Sequence, residues 1–155
     1  MVWLIILSRW LHIVSACVAL GGLFFVRVVL PPGLAVLPPD QRDLAHLKIR
    51  RIFKMVIHST ILLLLLSGTF NTIVAWKKYK LNPMLMHPLW GTHLLLGLIA
   101  FSILIYLLAG PTPRASNRKL LTLNLIVLLA TVAVASTLKW ARDSAVTAAA
   151  AQAAP

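Results

Sequence analysis

Acidic side chains are nearly missing from this chain of 155 residues: there is no glutamate, and Asp40, Asp43 and Asp143 are its three aspartates. Without a pair of carboxylates inside the apolar segments, the chain offers no acid and base for hydrolysis and no intramembrane acid for a proton relay. Cysteine is reduced to Cys17, which excludes an internal disulfide, a paired-cysteine metal site and covalent haem attachment through Cys-x-x-Cys-His. No glycine-rich phosphate loop or His-Glu-x-x-His motif is present, so hydrolase and ATPase functions fall away. What is abundant is apolar surface, since 60% of the residues are hydrophobic and 12% charged, a composition outside that of soluble domains. The formal net charge of +12 sits in short clusters between long apolar stretches. It reads as a topology signal and a contact with anionic lipid headgroups, with no nucleic-acid partner.

Charge-free stretches of seventeen, twenty-two, thirty-three and nineteen residues lie between Arg9 and Arg27, Lys54 and Lys77, Lys80 and Arg114, and Lys119 and Lys139. At about 1.5 Å per residue, each can cross a hydrocarbon core of about 30 Å, the first with help from its flanks. The expected fold is all-α, an integral membrane antiparallel four-helix bundle. Residues 1–142 form a single domain with spans at about 3–29, 50–76, 88–109 and 118–140. Pro31, Pro32 and Gly33 are expected to end the first helix and Gly110, Pro111 and Pro113 the third, while Pro88 holds back the start of the third. The segment from Pro38 to Lys48 reads as a loop with a short surface helix, and the alanine-rich tail 143–155 as frayed. The first span is expected to be a mature helix, because no basic residue precedes its apolar run and the stretch after Arg9 is long for a signal core.

Nine cations flank the loops after the first and third spans: Arg27, Arg42, Lys48, Arg50, Arg51, Lys54, Arg114, Arg118 and Lys119. Six flank the other side: Arg9, Lys77, Lys78, Lys80, Lys139 and Arg142. The positive-inside bias then places both termini on the periplasmic side of a bacterial inner membrane. Trp3, Trp10, Trp76, Trp90 and Trp140 fall near span ends and read as an interfacial belt.

Ionisable groups inside lipid are costly and usually have a purpose, so the histidines are where function is sought. His12 lies about one turn inside Arg9, and His93 one to two turns inside Pro88, which brings them to similar depth. Neutral imidazoles from two facing helices at one level can ligate an iron from opposite sides. The helical face of His12 carries Arg9 before it and Ser15, Ala16, Ala19 and Gly22 beyond it, and these last four are small residues that leave room for a flat porphyrin or, on the plainer reading, allow tight helix packing. Gly97 follows His93 by one turn and would let a ring lie close to the backbone. Arg9 is placed to neutralise a haem propionate, and Asn71 to hydrogen-bond a ligand imidazole or a propionate.

His58, at the other face, is too far along its helix to share that iron. With Asn124 at comparable depth it forms either a hydrogen bond or a candidate second site, for a second haem or a quinone headgroup. His46 reads as a solvated loop residue. Met84, Met86 and His87 make a soft cluster that could hold copper(I), or simply pack at the interface, with His87 at the outer end of the third helix.

The run Arg9, Trp10, Leu11, His12, Ile13 followed by Gly21, Gly22, Leu23 and Phe24 resembles the first helix shared by HemJ-type membrane protoporphyrinogen oxidases and CopD-type copper-resistance proteins. Arg50, Arg51, Ile52, Phe53 and Lys54, with Gly68 fourteen residues on, resemble the opening of the second helix of the HemJ family, and four spans of similar spacing extend the likeness over roughly residues 5–140. The resemblance implies that His12 is a haem ligand. The family carries an important lysine early in its third helix, where this chain has His93; that departure weakens protoporphyrinogen oxidation and favours a bis-imidazole iron suited to one-electron transfer. The expectation is thus a membrane b-type haem protein with one haem b or two, working with a redox partner or within a larger membrane complex. The alternatives are an enzyme oxidising protoporphyrinogen or a quinol, a copper-handling protein, and a haem-free structural subunit.

Overall fold

The computed structural model describes residues 2–109 and 118–152, and among them there are helices and no strand. Helix α1 spans Val2–Phe24 and passes through a π-turn, Phe25–Val29, into α2, Leu30–Ala35. Three long helices follow: α3, Pro39–Tyr79, α4, Pro83–Leu108, and α5, Arg118–Gln152. Four segments, Val2–Ala35 and the helices α3, α4 and α5, are long and apolar enough to cross a membrane. The expected turn at Gly110, Pro111, Pro113 and Arg114, and residues 153–155 of the tail, lie outside the described residues.

The prolines act differently from the sequence expectation. Pro31 and Pro32 do not end the first helical segment, which continues to Ala35. In the π-turn the Leu30 N–H reaches back five residues to the Phe25 carbonyl, and this reset puts Pro31 and Pro32 in the first turn of α2. A first-turn N–H has no intrahelical partner to lose, so proline is tolerated there. Likewise α4 starts at Pro83 rather than Pro88, which lies inside the helix. Pro88 forfeits one backbone hydrogen bond, but the turn around it is held from both sides. His87 stacks on Trp76, with centroids 5.5 Å apart and planes 8° from parallel, and Met86 is buried in the core.

The expected loop at Pro38 to Lys48 is the beginning of α3. Its proline stands in the first turn, Asp40 complements the helix dipole there, and an Arg42 Nη donates 3.0 Å hydrogen bonds to the carbonyls of Ala35 and Leu37, closing the turn from α2. At about 1.5 Å per residue the 41-residue helix is about 60 Å long, well beyond a hydrocarbon core of about 30 Å. At the other terminus the alanine-rich segment is helical as far as Gln152 rather than frayed. Alanine is the best helix former, Ala145 packs on the neighbouring core, and the Lys139 ammonium reaches the Asp143 carboxylate one turn on, at 3.0 Å.

Helix α1 packs mainly against α3, and α4 against α5. Ser8 donates to the Ser67 carbonyl at 3.3 Å near one end of the α1–α3 pair, and Gly22 meets Phe53 near the other. The apolar core falls into two clusters. One joins Leu23, Ile57, Ile61, Ala100, Leu104, Leu107, Leu108, Leu121 and Leu128. The other joins Ala75, Tyr79, Met86, Leu138 and Ala141.

Two substitutions in α1 and α5 should move stability in opposite directions. A Cβ on Gly22 would lie 3.0 Å from the Phe53 ring, so Gly22→Leu is expected to destabilise by about 1–3 kcal/mol through overpacking. Asn124 is 0% exposed and neither of its amide atoms has a partner. Leaving such a group unmet costs about 1–3 kcal/mol, so Asn124→Leu is expected to stabilise. Denaturation midpoints in detergent, followed by circular dichroism, check both signs.

Candidate functional site

The two apolar clusters are separated by a layer of polar and small residues. On α3, Ile61 and Ala75 bracket Ser67, Gly68 and Asn71; on α4, Trp90 and Ala100 bracket His93 and Gly97; on α5, Leu128 and Leu138 bracket Thr131. His12 and Ser15 meet this layer from α1, beyond Ala19 and Leu23. It is tied laterally, since the Trp90 indole N–H donates to Thr72 Oγ1 at 3.1 Å.

Within the layer His12 and His93 face each other, with ring centroids 6.4 Å apart and planes inclined by 49°. Each imidazole is held through Nδ1. His12 Nδ1 is 2.9 Å from Ser67 Oγ, and Ser67 commits its own proton to the Leu63 carbonyl, so its oxygen is the acceptor toward His12. His93 Nδ1 is 3.2 Å from the Thr131 carbonyl, which can only accept. Both histidines therefore carry the proton on Nδ1, and each keeps the lone pair on Nε2, the nitrogen able to bind a metal. Gly68 leaves room for the ring, because a Cβ there would lie 3.1 Å from His12 Cε1 and the imidazole would have to shift by a few tenths of an ångström.

The other sequence candidates divide. Asn71 lies in the layer with its Oδ1 buried and unpartnered, an unmet group at the level of the two imidazoles. No atom lies within 4 Å of a Cβ built on Gly97, which leaves open space beside the turn after His93. Arg9 is exposed one turn before His12. Of the small residues on the His12 face, Ser15 and Ala19 are buried and Gly22 lies against the Phe53 ring of α3. Small side chains let two backbones approach, as α1 and α3 do here.

His58 and Asn124 are not brought together. His58 is exposed with Nδ1 2.7 Å from the Lys54 carbonyl of its own helix, while Asn124 is buried in the core and unpartnered. Nor do Met84, Met86 and His87 converge. Met84 is 90% exposed and Met86 0%, because neighbouring helical positions two apart point to different sides, and the His87 ring is occupied by Trp76. Among the described residues no three His, Cys, Asp or Glu side chains form a metal-binding group.

Sequence reasoning missed Ser67 and Thr131, and marked Gly68 through the family resemblance alone, without placing it at the site. Ser67 and Gly68 stand one turn before Asn71, a signal that was available; the Thr131 contact is to a backbone carbonyl, which no residue type announces. Comparison with protein families, with curated proteins and with solved structures yields no match for the chain.

The hydrogen bonds predict a protonation pattern that nitrogen-15 spectra of histidine-labelled protein can read without any ligand. His12 and His93 should both be Nδ1–H tautomers, and Ser67→Ala should disturb His12 alone. Protonated Nε2 in both rings would overturn the assignment.

Proposed function

We propose that the chain is an antiparallel four-helix integral membrane protein that holds a b-type haem through His12 and His93 and transfers electrons. The membrane reading is supported by four long apolar helices and by their outward faces, where Leu62, Leu66, Ile73, Leu95, Ile126 and Leu129 are exposed. Such a surface suits hydrocarbon and not water. The order of contacts along α1 and α3, Ser8 with Ser67 and Gly22 with Phe53, supports an antiparallel pair.

The observation that carries the haem reading is the facing pair of imidazoles, each fixed at Nδ1 and each with an Nε2 lone pair. A metal–imidazole bond is about 2.0–2.1 Å; with the ring radius added on each side, two imidazoles on one metal have centroids about 6 Å apart, against 6.4 Å here. Two protein donors are too few for a bare ion, which takes about four, but they complete an iron whose other ligands come from a porphyrin. The unmet Asn71 oxygen and the open space beside Gly97 fit a group in this layer. So does the helix arrangement: α1 and α4 share at most a marginal contact, yet their histidines approach across the space between them. Room for the macrocycle would come from that side and not from the small-residue face of α1.

When bound, haem b would supply one-electron exchange between ferric and ferrous iron. The chain's own residues do the rest. Ser67 and the Thr131 carbonyl orient the two imidazoles and raise their basicity. Arg9, near the water, would balance a propionate. The two apolar clusters keep water from the layer on either side. Held by His12 and His93 together, the group would supply electron exchange and not a reaction on a bound substrate, which favours an electron carrier over the protoporphyrinogen oxidase that the sequence resemblance implies. The electrons pass to a redox partner, a quinone or a larger membrane complex of which this chain is a subunit.

Absorption spectroscopy of protein expressed with ample haem tests the proposal. Sharp low-spin reduced bands are expected, lost in His12→Ala and in His93→Ala and kept in His46→Ala and His58→Ala. Reduced protein should bind carbon monoxide poorly, and His93→Lys should improve it. Normal spectra in both ligand variants would sink the assignment. Topology is checked separately: a reporter after Arg142 is expected to read periplasmic and one near Asp43 cytoplasmic, as the charge bias requires.

A further inference from the structure

At the end of the bundle away from the histidine layer a cavity of about 550 Å³ opens between the π-turn with α2, the first turns of α3 and the ends of α4 and α5. Its inner wall is Leu23, Phe53, Leu104, Leu107 and Leu121, side chains of the larger apolar cluster. Nearer the surface stand Arg27, Arg50 and Arg118, with Asp43 as the one carboxylate in the lining. The Arg27 side chain is set in place by a 2.8 Å hydrogen bond from its Nε to Thr122 Oγ1, which spans from the π-turn to α5. The π-turn thus does two things at once: it carries the helix past Pro31, and it turns a cation into this cavity.

Apolar depth and a cationic rim call for an amphiphile with an anionic head. The volume lies within the range of about 300–1,000 Å³ found for small-molecule sites. Guanidinium groups match phosphate oxygens through paired N–H donors. Basic pockets between membrane helices suit acidic lipid headgroups, and Arg27 and Arg118 lie at the ends of charge-free apolar stretches, where headgroups are. Inorganic phosphate would leave the leucine wall uncovered, and a zwitterionic lipid would bring its own cation to Arg27 and Arg118. We infer that this cavity binds one anionic phospholipid, its phosphate held by Arg27 and Arg118 and an acyl chain against Leu104 and Leu107. The inference rests on the membrane placement of the chain but not on the haem.

Native mass spectrometry of the full chain released from detergent, titrated with phosphatidylglycerol, phosphatidylcholine or inorganic phosphate, tests it. One phosphatidylglycerol per chain is expected, retained about 25-fold more tightly than phosphatidylcholine, since Arg27 and Arg118 each contribute about a factor of five. The double variant Arg27→Gln, Arg118→Gln should lose about that factor, whereas Lys139→Gln with Arg142→Gln, at the other end, should not. Val26→Trp adds bulk in the lining without changing charge and should also release the lipid; it carries the test if the arginine pair fails to fold by circular dichroism. Equal retention of the two lipids, equal loss in the two double variants, or displacement of the lipid by millimolar phosphate would overturn the inference. Recovery of the chain in the soluble fraction, without detergent, would instead strike the membrane reading itself.

Discussion

The hydrogen bonds on the two Nδ1 atoms constrain everything around them. An imidazole in an apolar bundle must satisfy its N–H or incur a desolvation cost, and the nearest solutions are a serine hydroxyl on α3 for His12 and a backbone carbonyl on α5 for His93. Meeting that demand ties α1 to α3 and α4 to α5 at one level. The same bonds direct both Nε2 lone pairs away from the helices that supply the acceptors. Structure and candidate chemistry therefore share one cause: the groups that make the histidines tolerable are those that would make them ligands.

The layer divides the core, and the division explains where stability is gained and where it is given up. Above and below it, leucines and small residues pack as ordinary apolar clusters. Inside it, Asn71 keeps an unmet oxygen and glycine replaces side-chain volume at positions 68 and 97. A bundle selected for stability alone would fill this level with aliphatic side chains, so the departures are expected at a functional position. Asn124 is a second departure, buried within the larger cluster a turn from Leu121. The basic cavity lies beyond the larger cluster, at the end of the bundle away from the histidine layer.

Legibility from sequence varied with the range of the interaction concerned. The matched depth of His12 and His93 could be read because helical rise converts sequence distance from a boundary into depth, and the two rings do meet. His58 and Asn124 were matched by the same reasoning and do not meet, because depth says nothing about which way a side chain points around its helix. The proline readings missed for a related reason. A proline ends a helix only where its absent N–H was needed, and at Pro31 and Pro32 the local hydrogen-bond register removes the need.

By itself the sequence determined the class of the fold: four apolar segments, each long enough as a helix to cross a membrane and each bounded by clustered cations, become the long helices. It also determined which residues could carry chemistry, because so few ionisable groups lie within those segments. Tertiary structure alone decided which of them act together. Helix rotation placed Ser67 beneath His12 and the Thr131 carbonyl beside His93, turned Met84 away from Met86, and set Gly22 of α1 against the Phe53 ring of α3. Rotation is set by packing between helices far apart in sequence, so no local pattern of residue types contains it.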